Sequence, residues 1–188
     1  MKHLIKSLTL ILFSVLTLAA CSNDDEITTN GSAIMSTGSV KVDGNECCQL
    51  KSAFSDGGVA DPSRGSSFIL ELYKDNYAKC PSWELCEVLI EGFEYNDKTY
   101  GNLTEEVERI VIKNLPNIGQ LNVNLNQGKY EGTNEKVESV DVQKLEFPAV
   151  DEKGNMKKPG NVSLAIKIKD GTVIRVNYSG TIQWNGRY

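Results

Sequence analysis

The sequence predicts an all-β domain, an antiparallel β-sandwich with a partly closed barrel as the alternative. Three observations predict it. Apolar and polar residues alternate with period two from end to end, as in Phe68, Leu70 and Leu72 and again in Leu121, Val123 and Leu125. Clusters of Gly, Pro, Asn and Asp punctuate these runs at short intervals. No long stretch shows the 3.6-residue stripe of a packed helix.

Taken in order, the expected strands are Ser39 to Asp43, Cys47 to Phe54, Phe68 to Lys74, Leu85 to Tyr95, Glu108 to Leu115, Gln120 to Gln127, Val137 to Phe147, Val162 to Lys169 and Thr172 to Gln183. The segment Leu103 to Arg109 is compatible with one short helix. Two loops, Asp56 to Gly65 and Asp151 to Gly160, are long enough to project from the ends of a sandwich. Alternation with one apolar face implies sheets with one side on the core and one in water.

The last two strands can be read to their register. A three-residue loop Lys169-Asp170-Gly171, with Gly171 left-handed, sets Ile166 opposite Ile174, Leu164 opposite Val176 and Val162 opposite Tyr178. A two-residue Asp-Gly loop would set Ile166 opposite Arg175, so the apolar pattern selects the longer turn. Along Val137 to Phe147 the inward set shifts from Val140 and Val142 to Leu145 and Phe147. This slip of phase predicts a bulge near Gln143 and Lys144.

The beginning of the chain has the layout of a secretory signal: Lys2 and Lys6, an apolar run from Leu8 to Leu16, then Leu18-Ala19-Ala20-Cys21. The apolar run is far shorter than the roughly 20 residues of a membrane-spanning helix. The small-small-Cys site resembles the lipobox of bacterial lipoproteins, which implies lipid on Cys21 and a membrane partner reached through that lipid. The following Asp24, Asp25 and Glu26 resemble the export signal of Bacteroidetes-type surface lipoproteins. Together the resemblances imply a signal peptide over 1–20, a lipidated flexible tether over 21–38, a domain over 39–188, and residence on the outer membrane facing outward. An incidental cysteine and a merely solvated acidic tether are the plainer readings.

Charge and composition exclude several functions. Without the signal the chain carries 18 bases and 25 acids, a net charge of −7. Nucleic acid is disfavoured as a partner, since it needs a basic face. The one histidine is His3, inside the signal. A mature chain without imidazole cannot run Ser-His-Asp or Cys-His catalysis, and no cofactor or metal is implied.

Four further cysteines, Cys47, Cys48, Cys80 and Cys86, belong to an oxidising compartment and are disulfide candidates. Cys80 to Cys86 would close a local loop. The rival map joins Cys47 and Cys48 to that loop, and a four-thiolate zinc site is a third reading. Asn122, Asn124 and Asn126 align on the polar side of one strand, where their amides could meet sugar hydroxyls or simply ladder with a neighbour. Trp83 and Trp184 could stack on sugar rings or cover the core's own edge. The turns 43–46 and 94–97 hold oxygen ligands of the kind calcium uses, although turns favour these residues anyway. Glu84 with Glu87, and Glu91 with Glu94, are the carboxylate pairs a glycosidase would need.

The expected function is a non-catalytic binding module for neutral glycans. The alternatives are an adhesive envelope component with protein partners and, third, a carboxylate-dependent glycosidase.

Overall fold

The computed structural model describes residues 34–61, 63, 65–74, 86–94, 100–152 and 156–185. Twelve strands run β1 Thr37–Val42, β2 Asn45–Leu50, β3 Ser52–Asp61, β4 Gly65–Tyr73, β5 Cys86–Glu94, β6 Gly101–Asn102, β7 Val107–Leu115, β8 Gly119–Asn124, β9 Val137–Phe147, β10 Gly160–Ile168, β11 Val173–Gly180 and β12 Ile182–Asn185. They form two six-stranded sheets, ordered β2-β1-β11-β10-β9-β6 and β12-β3-β4-β5-β7-β8. Each sheet ends in open edges, so the fold is a sandwich and the barrel is not formed.

The inward residues meet in one core. Phe68, Leu70, Ile90 and Ile110 of the second sheet are fully buried, as are Ile166 and Val176 of the first. Phe68 and Phe147 join the sheets edge to face, with centroids 5.6 Å apart. Close-packed alternation of this kind supplies the main folding free energy, at about 25 cal/mol for each Å² of apolar surface removed from water.

The register of the β10–β11 hairpin is the one the sequence pattern selects: Ile166 faces Ile174, Leu164 faces Val176 and Val162 faces Tyr178. Gly171 sits at φ +96°, and its N–H donates to the Ile168 carbonyl at 2.9 Å. The β9 bulge is also present. Ser163 pairs with Lys144 and Leu164 with Val142, which leaves Gln143 unpaired between them.

Other boundaries differ from the pattern. The run Cys47 to Phe54 is two strands in two sheets, divided at Lys51, whose N–H donates to the Tyr73 carbonyl at 2.8 Å. The run Thr172 to Gln183 is divided at Thr181 in the same way. There β12 pairs parallel with β3, the one departure from antiparallel order among the described residues. Ser36 fastens this second crossing: its Oγ accepts from the Thr181 N–H at 3.1 Å and lies 3.0 Å from the Tyr178 hydroxyl, which donates to the Thr181 carbonyl at 2.7 Å.

The loop expected over Asp56 to Gly65 is mostly strand, the end of β3 and the start of β4. The expected short helix is a 3-10 turn of three residues, Thr104–Glu106. No helix among the described residues is long and apolar enough to cross a membrane.

Candidate functional site

The outer face of the first sheet carries a polar groove of about 820 Å³. Period-two alternation places its lining: residues flanking the core positions Val40, Leu164 and Val176 must point to solvent. Pairing then lines them up across five strands, with Gln49 opposite Ser39, Ser39 opposite Asn177, Asn177 opposite Ser163, and Ser163 opposite Lys144. A second row joins Thr37 to Ser179 and Ser179 to Asn161.

The rows are connected by side chains. The Ser163 hydroxyl stands 3.0 Å from the Asn177 amide and 3.0 Å from the Gln143 amide. One hydroxyl has one proton, so one amide accepts it and the other turns its nitrogen to the oxygen. Asn161 donates to Glu146 at 3.1 Å and Gln49 to Glu46 at 3.1 Å. Gly38 is required in this floor, because a Cβ there would lie 2.6 Å from the Asn177 carbonyl oxygen. The groove thus offers donors and acceptors side by side on a rigid sheet. Drug-like pockets are mainly apolar; this one sets polar side chains among its apolar surface.

A smaller cleft of about 350 Å³ lies between residues 128–130 and the stretch 138–142 of β9. Here β9 has β10 on one side, while β6 covers the other side only at Glu146 and Phe147.

Asn122 and Asn124 are exposed on β8 of the second sheet, away from the groove, and Asn126 follows that strand. Asn122 Oδ1 accepts from Arg109 Nε at 3.1 Å, and the Asn126 amide donates to Glu131 at 2.8 Å. Two of the three are therefore held by neighbours within the fold. Asn124 makes no side-chain hydrogen bond among the described residues. Trp184 belongs to β12 at the edge of the second sheet. Cys21, Asp24, Asp25, Glu26, Trp83 and Cys80 lie outside the described residues, as does the Cys86 side chain.

Cys47 and Cys48 are free thiols, which corrects the map that joined them to the 80–86 loop. The cause is local. Cys47 is the extra residue of a bulge between the Val40–Cys48 and Lys41–Glu46 pairs, and its thiol donates to the Val40 carbonyl at 3.2 Å. The Cys48 thiol turns to the Gln49 carbonyl at 3.4 Å. Burial and the Glu87 carboxylate push the Cys48 thiol up to about 12, so it stays protonated and a weak nucleophile.

Glu84 lies outside the described residues, and the pair Glu91 with Glu94 does not assemble. Glu91 faces outward and meets Arg109 at 3.0 Å, whereas Glu94 is buried near Glu106. Burial, aided by the Glu106 charge, raises Glu94 to about 7. Glu87 pairs with Lys74 at 3.4 Å. Asp43 serves structure: it adopts φ +49° in the β1–β2 turn, and its Oδ1 accepts from the Val173 N–H at 2.8 Å. No cluster of three or more potential metal ligands occurs among the described residues.

Period-two reading did not single out Glu71, which is buried on the outer side of the second sheet. The Tyr73 hydroxyl donates to its Oε2, while its Oε1 and Asp56 Oδ1 lack partners among the described residues. Desolvation raises its pKa. Buried Glu71 and half-buried Asp56 are two carboxylates on β4 and β3 with no third metal ligand among the described residues.

No protein-family model, curated protein or solved structure matches this chain.

Proposed function

We propose that this protein is a lipid-anchored surface module that captures glycan, without catalysis, in the groove across β2, β1, β11, β10 and β9. The observation that carries this reading is the row Gln49, Ser39, Asn177 and Ser163, aligned on one rigid face beside a groove of ligand size. Amides and hydroxyls both donate and accept, as sugar hydroxyls do. Tether and anchor rest on Cys21 and the acidic run behind it, which would hold the groove outside the cell on a flexible arm.

Among the described residues, no aromatic ring other than the mostly buried Tyr178 lines the groove. Capture at this face therefore relies on hydrogen bonds, which contribute about 0.5 to 1.5 kcal/mol each, and micromolar to millimolar affinity follows. Binding of the full chain to a panel of neutral and acidic polysaccharides tests the reading. Asn177→Ala with Ser163→Ala should weaken capture about tenfold at an unchanged melting temperature; wild-type affinity in that variant would refute the groove. For the anchor, Cys21→Ala should release the protein from membranes, and full retention would refute lipid attachment.

The protein-partner reading has one observation in its favour, the open β9 edge beside the smaller cleft. Unpaired edges can accept an added strand. Against it, the only large apolar side chains well exposed among the described residues are Met35 and Tyr100, so no apolar docking patch accompanies the edge.

A further inference from the structure

The cations of the first sheet's outer face fall into two groups. Lys144 pairs with Glu146 at 3.2 Å and Lys167 with Glu138 at 2.7 Å. Lys41 and Lys51, which both line the groove, make no ion pair among the described residues. The groove's other charged lining residues are Lys144 and Glu46; Glu46 faces Lys41 in the β1–β2 register, and its carboxylate accepts from Gln49 at 3.1 Å. Arg175 pairs with Lys41 in the β1–β11 register and adds a further exposed cation on that side.

Position matters as much as charge. Leu50, the last residue of β2, pairs with Gly38, three residues before Lys41, and Lys51 follows directly where the chain leaves the sheet. At about 3.3 Å per residue, Lys41 and the Leu50 end of β2 are therefore roughly 10 Å apart along the strand, with Lys51 one residue beyond. Between them lie the neutral row through Ser39 and Asn177. A ligand lying along β1 would meet a cation, then hydroxyls and amides, then a second cation.

We propose that the groove takes an acidic glycan, a polymer of carboxylated sugars whose hydroxyls meet the neutral row and whose carboxylates meet Lys41 and Lys51. This rests on the glycan reading of the groove. The expectation of a neutral ligand came from the net charge of −7. Distant charges are screened over about 10 Å at 0.1 M salt, whereas the two lysines would touch the ligand. Local sign decides at contact distance.

The test uses the full chain in detergent with polygalacturonate, alginate and hyaluronate, each beside its carboxyl-reduced neutral counterpart. At least one acidic polymer should bind, its reduced form about tenfold more weakly, and affinity should fall as salt rises. Lys41→Gln and Lys51→Gln should each weaken binding about two- to fivefold, the range of an exposed ion pair, while Lys167→Gln leaves it unchanged. The inference is overturned if the reduced polymers bind as well, if the Lys41 and Lys51 variants bind as wild type, or if no acidic polymer binds. Reduced polymers that bind and are lost with Asn177→Ala would leave the glycan reading standing while the acidic ligand falls. No binding by either form removes both.

Discussion

The two sheets obey the same alternation on their inner sides and differ on their outer ones. The first sheet turns Ser39, Ser163, Asn177 and several lysines to solvent. The second turns out Phe54 and Tyr73, which are buried and form a small second cluster with the half-buried Leu89. It also buries Glu71 and Val111 on that side. The difference teaches that the two outer faces of this sandwich carry different loads: the first is polar and exposed, while the second buries apolar side chains at Phe54, Tyr73 and Val111. The polar face can vary without harming the fold, and a buried face cannot.

Three expected outcomes could break or sharpen this contrast. The largest is Phe54→Ala. Removing a buried aromatic side chain from the second sheet's outer face should cost about 3 to 5 kcal/mol by denaturant titration, against less than about 0.5 kcal/mol for Ser39→Ala on the first. Equal costs would erase the distinction between the faces.

Next comes the pH dependence of the second sheet. Glu94 is raised from 4.5 to about 7 by burial and by Glu106. An acid whose folded pKa lies above its unfolded one binds more protons when folded between those values. Its contribution to stability is therefore full below about pH 4.5 and is lost as pH rises through about 7. Glu94→Gln should raise stability at pH 8 by on the order of 1 to 3 kcal/mol relative to wild type and flatten the fall between pH 5 and 8. A variant whose melting temperature keeps the wild-type slope over that range contradicts the assignment.

Within the first sheet, Gly171→Val should cost about 1 to 2 kcal/mol, since a β-branched residue is strained at φ +96°. Asp170→Ser should cost only a few tenths, because a serine oxygen can replace the Asp170 Oδ1 that accepts from the Thr172 N–H at 2.9 Å. Comparable losses in thermal denaturation would remove the reason for the bulged turn.

Local features were legible in the sequence and assembled ones were not. The β10–β11 register and the β9 bulge could be read because turn residues and apolar phase lie within a few positions of each other. The division at Thr181 was hidden because the inward set continues in phase from Tyr178 to Ile182 while the chain changes sheet; at Lys51 the inward set slips from Leu50 to Ala53, and apolar Phe54, in phase with Leu50, masked the slip. The groove was hidden for a related reason. Ser39, Gln49, Ser163 and Asn177 are each ordinary solvent-side residues, and only pairing between distant strands brings them into one row. The asparagine run on β8 was conspicuous because it is contiguous, yet Asn122 and Asn126 serve Arg109 and Glu131.

The central claim is that ligand capture belongs to the first sheet's outer face, and backbone amide chemical shifts during titration of the full chain with a bound oligosaccharide test it most directly. The account predicts that shifts concentrate at Ser39, Gln49, Ser163 and Asn177 while Asn122 and Asn124 stay in place. Shifts centred on Asn122 and Asn124, with the first sheet silent, would contradict it.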